Sequence, residues 1–331
     1  MKTVLVYRLG SLGDTVVALP CFHKIAERYP DARRVVLTNK PVSRAAPRLA
    51  DVLGGSGLVH ETIEYRFGTR SVNELVRLRN ALSRLRIDQA IYLAAPRGRA
   101  VVLRDLAFFR LCGIRRMIGA PTSQDLLNNR VDPQTGEEEY ECERLARCMS
   151  GLGSIDLQAR TSWDLHLTAA ERHVAETMLA PLGGARFIAI NMGGKQAQND
   201  WGHENWRELL GRLSRQVADI AFVFIGGAQD EERAGRVAGD VCQHWLNLCG
   251  KLSPRETAAV LSKALLFVGH DSGPLHLAAA SDARCIGLFN GASKAHKWHP
   301  FGSQNRVFRF DQTAPAALVQ PVNDAILEAI R

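Results

Sequence analysis

The sequence predicts an α/β protein built from two doubly wound parallel-sheet domains, and three observations carry that expectation. Short apolar runs alternate with helical patterns from one end of the chain to the other. The alternation runs twice, over about residues 1–150 and again over about 185–310. At 331 residues the chain is also long for one core and suits two domains of ~150 residues each.

Taken in order, the strand candidates are "TVLVYR" (3–8), "RVVLT" (34–38), "QAIYLA" (89–94), "RFIAIN" (186–191), "IAFVFIG" (220–226), "LLFVGH" (265–270) and "RCIGLF" (284–289). Most are nearly continuous apolar runs, as strands buried on both faces of a parallel sheet require. Helical patterns at 72–85, 98–112, 204–217, 229–239 and 254–264 separate them, which is the pattern of βαβ units. Between the halves, "LTAAERHVAETMLAPLGGAR" reads as a helix and a glycine-rich connector. The expected division is 1–165, 166–312 and a C-terminal helical segment, 313–331, packing back on the first domain.

Composition narrows the function classes. The hydrophobic share of 46% with 23% charged residues is ordinary for a globular chain. No run of 18 apolar residues exists to span a bilayer, and the N-terminus reads as a first strand, not a signal peptide. Seven scattered cysteines without a C-x-x-C pair point to reduced thiols in a cytoplasm. The net charge of +8 is uneven: residues 1–165 hold 25 Lys and Arg against 18 Asp and Glu. Residues 66–116 alone hold twelve arginines and three acids. That run is either a solvated face or a surface for an anionic partner, such as acidic lipid headgroups or a phosphorylated acceptor. Nucleic acid is not expected, because no aromatic-basic interleaving or reading motif accompanies it.

Four strand-end corners carry the candidate chemistry. In "YRLGSLGDTVVALP" (7–20) a strand ends near Arg8, Gly10, Ser11, Leu12 and Gly13 turn, and Asp14 begins a helix. This is G-x-x-G, not the dinucleotide G-x-G-x-x-G, and the second strand ends without the acid that would hold a ribose. Asp14 is either a first-turn acid favoured by the helix dipole or a general base displayed where open sheets bind ligands. In "INMGGKQAQNDWGHENW" (190–206), Gly193 and Gly194 let backbone N–H groups approach an anion and Lys195 adds a point charge. A plain loop with a surface lysine is the alternative. In "FIGGAQDEERA" (224–234), Asp230 and Glu231 either accept from a ribose or serve the dipole of a first helical turn. In "FVGHDSGPLHLAAAS" (267–281), Asp271 is placed to cap a helix that starts near Pro274, and Gly273 allows close backbone approach. That helix end suits a diphosphate, with Ser272 at the turn and His276 facing back from the first turn. His296 and His299 lack a neighbouring ligand cluster, so no metal site is expected.

"RLGSLGDTVVALP" near the start, with "GHDSGPLHLAAA" and "GLFNGASKAHKWHPFG" near the end, resembles glycosyltransferase family 9, which includes the ADP-heptose:lipopolysaccharide heptosyltransferases. The likeness covers nearly the whole chain in order. It implies a GT-B fold of two Rossmann-like domains facing a cleft, the acceptor bound mainly by the first and the donor mainly by the second. It also implies inverting, metal-independent transfer without a cofactor, the nucleotide sugar being a substrate. By the resemblance Asp14 is the general base, with Arg8, Ser11 and Gly13 on the acceptor side. Ser272, Gly273, Pro274, His276 and Lys195 hold the donor diphosphate, and Gly193, Gly194, Asp230, Glu231 and Asp271 lie near its nucleoside or sugar. Implied partners are a nucleotide-sugar donor and an anionic glycan or glycolipid at the cytoplasmic face of the inner membrane. Two departures stand out. Asn199 occupies a position where heptosyltransferases usually carry a lysine, so that Lys195 supplies the charge instead, and "VVALP" lacks a histidine often found there. A GT-B-fold sugar-nucleotide epimerase and a non-catalytic nucleotide-sugar binder are the competing readings.

Overall fold

All seven apolar runs form strands. The computed structural model describes residues 2–41, 43, 46–95, 97–194, 197–291, 295–311 and 314–331. They divide into two units, Met1–His166 and Leu167–Arg331. The first unit holds β1 (Thr3–Tyr7), β2 (Arg33–Asn39), β3 (Glu61–Tyr65), β4 (Gln89–Tyr92) and β5 (Met117–Ile118) in the order β3-β2-β1-β4-β5. The second holds β6 (Arg186–Asn191), β7 (Ile220–Phe224), β8 (Trp245–Asn247), β9 (Leu266–His270), β10 (Cys285–Asn290) and β11 (Arg306–Phe310) in the order β11-β10-β9-β6-β7-β8. Every neighbouring pair is parallel.

The four strands that the apolar pattern does not pick out are the edges of the two sheets: β3, β5, β8 and β11. Each is only partly buried along most of its length. An edge strand needs no continuous apolar run, because one long side meets water or a loop.

In both sheets the central strands are buried along all or nearly all of their length, and helices cover them. Leu82, Val102 and Phe109 pack on the first sheet. Trp201, Trp206, Leu209, Leu210 and Leu213 pack on the second. The C-terminal helix Val319–Ile330 contributes Val319, Val322, Ala325 and Ile326 to that second core. All seven cysteines are buried and unpaired.

Strand order points to the candidate site. In the first sheet β2 and β4 flank β1 on opposite sides, so the chain reverses its direction of winding between β1 and β4. In the second sheet the same reversal falls between β6 and β9. Open α/β sheets bind ligands outside the carboxyl ends of strands at such points. The corners after β1, β6 and β9 are the ones that hold Arg8–Asp14, Met192–Asn199 and Asp271–His276.

Ile326 is fully buried. Ile326→Ala is expected to destabilise the second unit by about 3 kcal/mol, seen as a lower urea midpoint in tryptophan fluorescence. An unchanged midpoint would remove the C-terminal helix from the core.

Candidate functional site

After β1 the chain enters the corner through Gly10, whose φ is +138°. A Cβ there would lie 2.3 Å from the Cβ of Asp14, so both the torsion and the space demand glycine. The Asp14 side chain folds back over that gap. Its Oδ2 accepts the Ser11 backbone N–H at 2.7 Å and the Ser11 hydroxyl at 2.8 Å. Gly13 is buried in the first turn of helix Leu12–Val17, and Asn39 at the end of β2 accepts the Gly10 N–H at 2.7 Å.

Arg8 lies beneath this turn and is 1% exposed. It donates to the Leu93 carbonyl at 2.6 Å, tying the β1 corner to the segment after β4, and also to the backbone carbonyl of Asp14. Its Nη2 lies 3.9 Å from Asp14 Oδ1. Burial lowers the Arg8 pKa, opposed by the charges of Asp14 and Glu141, but a guanidinium stays protonated in proteins. Among the described residues Asp14 Oδ1 takes no hydrogen bond, and the side chain is 25% exposed. One carboxylate oxygen is therefore fixed and the other is open to a proton.

A polar network that the sequence reading did not identify lies at the same end of the first sheet. Tyr7, Tyr65 and Tyr92 are the last residues of β1, β3 and β4. The Tyr7 and Tyr65 hydroxyls are 2.9 Å apart. Arg97 donates to Tyr7, Tyr92 and Asp105 at 3.1, 3.3 and 2.6 Å. Burial raises all three phenol pKa values, so the tyrosines act as neutral hydrogen-bonding groups. A tyrosine closing three of the five strands was the available signal.

In the second unit, Asn191 ends β6 and its side chain links two corners. Its amide donates to the Ile225 carbonyl at 2.9 Å, and its Oδ1 accepts the Ser272 hydroxyl at 3.1 Å. Ser272, not Asp271, is the N-cap of helix Gly273–Ala280, and no side chain caps that helix. The expected Asp271 cap is corrected on this point. The Ser272 hydroxyl is directed to Asn191 and to the His270 carbonyl, leaving the helix N-terminus, with Pro274 at N2, to outside acceptors. Burial pushes the Asp271 carboxyl up to about 6. His276 stands in the first turn, largely buried, its ring 6.4 Å from that of Trp298.

Gly193 and Gly226 owe their small size to Asp230. A Cβ on either would lie 2.4 or 2.5 Å from the Asp230 Oδ2. That oxygen accepts the Gly227 N–H at 2.9 Å, and burial raises the pKa of the group. Glu231 begins the next helix, half-exposed and 3.7 Å from Lys251. Gly194 is exposed after β6. Lys195 lies outside the described residues.

Two further features of this corner were not anticipated. Asp200 forms a bidentate pair with Arg233 at 2.7 and 2.8 Å and accepts the Gly202 N–H at 2.9 Å. Burial works against its charge, but these donors hold its pKa below the usual range. Beneath it His270, fully buried, accepts the Trp201 backbone N–H at 3.1 Å and the Trp206 indole N–H at 3.3 Å on Nε2. Nε2 must then be unprotonated, and the ring proton sits on Nδ1 near the carbonyls of Met192 and Gly193, without a well-formed bond to them. His270 thus clamps the loop after β6 to the corner after β9.

Among the described residues no group of three or more His, Cys, Asp and Glu side chains is gathered for a metal ion. No described helix is long and apolar enough to cross a membrane.

Two parallel-sheet units with glycine-bearing corners at their switch points have the architecture of the GT-B fold. The sequence profile of glycosyltransferase family 9 (heptosyltransferase) matches residues 75–323, and the chain belongs to that family. Lipopolysaccharide heptosyltransferase 1 of Escherichia coli K12 is 35% identical over 89 residues, 27% of each chain, so the match spans about a quarter of that relative's length. The solved structure of the E. coli ADP-heptose LPS heptosyltransferase II superposes with a TM-score of 0.71 at 19% identity, over 100% of this chain and 98% of that one. E. coli heptosyltransferase WaaC, solved with ADP, gives 0.67 at 21% identity, over 99% of both chains.

His270 makes the second unit sensitive to acid. Burial lowers its pKa to about 4, against an ordinary value near 6.5. Between those pH values the unfolded chain binds a proton that the folded chain refuses. Stability therefore falls as pH drops from about 6.5 to about 4, by about 3 kcal/mol in all. Urea midpoints measured across that range should lose this share of their slope in His270→Asn. An identical slope in the variant would show that His270 is not held neutral.

Proposed function

We propose that this protein is an inverting, metal-independent glycosyltransferase. It moves a heptose or related sugar from a nucleotide-diphosphate donor, ADP-heptose foremost, to a hydroxyl of an anionic glycolipid such as the lipopolysaccharide inner core. The observation that carries the reading is the division of chemistry between two corners. The first unit presents a carboxylate with one open oxygen, and the second presents an uncapped helix N-terminus. Family membership supports the same assignment, and one relative of the same fold was solved with ADP.

In the proposed reaction the acceptor oxygen bonds to the anomeric carbon as the bond from that carbon to the diphosphate breaks. The electron pair of the broken bond leaves with the nucleotide diphosphate, and the hydroxyl proton passes to Asp14 Oδ1. Ser11 holds the other oxygen through two hydrogen bonds, which fixes the carboxylate plane. Arg8 braces the backbone of the same turn. A weak base suffices, because the attacking oxygen becomes acidic only as it bonds to carbon.

The greater demand is charge developing on the leaving diphosphate. Backbone N–H groups of Ser272 and of the start of helix Gly273–Ala280, with His276, meet it, and Lys195 adds a positive charge. Donors of this kind each contribute about 3 kcal/mol of transition-state stabilisation. Asp230, Glu231 and Asp271 serve the nucleoside and sugar. The acceptor, on this reading, reaches the enzyme at the cytoplasmic face of a membrane.

Asp14→Asn is expected to lower the transfer rate by roughly 10²–10⁴-fold while the Kd for the nucleotide sugar, measured by calorimetry, stays near wild type. His276→Ala is expected to weaken donor binding instead. A panel of ADP-, GDP- and UDP-sugars, with and without acceptor, is the decisive assay. Conversion of donor without any acceptor would indicate an epimerase, and binding without turnover a sugar-nucleotide carrier.

A further inference from the structure

The arginine-rich run of the first unit folds into a surface with a definite design. Helices Val72–Arg84 and Arg99–Leu111 follow β3 and β4 and cover one face of the first sheet. They lie side by side at their C-terminal ends: Arg79 donates to the Leu111 carbonyl at 3.0 Å and Ser83 to the Cys112 carbonyl at 3.1 Å. The inward residues Leu82, Val102 and Phe109 are buried. The outward face of the first helix is polar apart from Val72, Val76 and Ala81, but that of the second is not the polar one that a water-facing helix ordinarily presents.

On the second helix Ala100, Leu103, Ala107 and Leu111 recur at intervals of three and four residues and are all exposed. On the first helix two exposed valines, Val72 and Val76, share a face with Arg79 and Ser83, the two residues that touch its neighbour. Leu103 and Leu111 are 51% and 67% exposed, and Val72 and Val76 are 71% and 47% exposed. Exposed arginines border them: Arg77 and Arg84 on one helix, Arg99, Arg104 and Arg110 on the other. Three acids offset this charge: Asp105 is buried and paired with Arg97 and Arg104, Asp88 accepts the backbone N–H of Thr3, and exposed Glu74, in the first turn of the first helix, accepts the Thr69 hydroxyl. Beside the second helix an open pocket of about 310 Å³ carries Arg110, Arg115 and Thr122 on its wall, room for a phosphate-bearing headgroup.

We propose that this two-helix face docks the protein on an anionic bilayer surface. The apolar stripe enters the boundary between headgroups and acyl chains, and the flanking arginines pair with lipid phosphates. A second copy of the chain is a poor occupant, since pairing this face with itself would set arginine against arginine. Neutral bilayers lack the charge that the border residues need. The inference deepens the glycolipid reading of the acceptor and rests on that reading for its purpose, though not for its observations.

The test is co-sedimentation of the 331-residue chain with vesicles of phosphatidylcholine alone and of phosphatidylcholine mixed with phosphatidylglycerol, at low salt. The expected result is partition onto the anionic vesicles only. Each arginine at an anionic surface strengthens partition about five-fold, so the triple variant Arg77→Gln, Arg84→Gln, Arg110→Gln should weaken it by on the order of 100-fold. The double variant Leu103→Ser, Leu111→Ser should weaken it while keeping the full charge. Because all five side chains are exposed, circular dichroism and urea midpoints should stay at wild-type values. Equal partition onto neutral vesicles, no partition at all, or retained partition in either variant overturns the proposal. A dimer in analytical ultracentrifugation that the leucine variant dissolves also overturns it, by making the face a contact between copies. ADP binding, measured calorimetrically on the same preparations, reports on the transferase reading separately, so failure of one is not failure of the other.

Discussion

Burial of parallel strands on both faces is the constraint on which the rest of this structure depends. Strands such as β1, β6 and β9 have no wet face, so polar chemistry is confined to the ends of the sheets. At the carboxyl ends the chain must turn sharply and start a helix, and the start of a helix offers unpaired N–H groups. A glycine-bearing turn, an acceptor side chain and a helix N-terminus therefore recur at each corner as consequences of the sheet. Open sheets of this kind bind ligands at their switch points, which makes those corners the candidate site.

Within the corners, packing assigns each charged group its task. The absence of a Cβ on Gly10 admits the Asp14 carboxylate, and the absence of one on Gly193 and Gly226 admits that of Asp230. These glycines owe their place to the close approach of a neighbouring carboxylate from the same chain. His270 shows the opposite use of a polar group. Held neutral by burial and accepting two N–H groups, it positions the loop after β6 and carries no charge itself. Arg8 is a buried cation that braces the backbone of the turn above it.

The legible part of the fold was the part with strong hydrophobic signal. Central strands announce themselves as continuous apolar runs, whereas "ETIEY" and "RVFRF" at the sheet edges do not. Candidate site residues could be proposed from sequence where a short motif holds them together, as in Gly10 to Asp14 or Asp271 to His276. They were illegible where partners are distant in sequence. Nothing local links Asn191 to Ser272, Asp200 to Arg233 or Arg97 to Tyr7. Asp271 was misread as a cap because the turn was judged by residue type; the helix starts at Gly273, so Ser272 is the N-cap and Asp271 lies one residue before it.

The central claim is that the donor nucleotide is held by the corners of the second unit and that Asp14 serves the acceptor. Hydrogen–deuterium exchange of the intact protein with and without saturating ADP tests this most directly. The account predicts slowed exchange in peptides covering 191–201, 226–231 and 270–276, with the 8–14 segment unaffected. Protection confined to 8–14, with the second-unit corners unchanged, would contradict it.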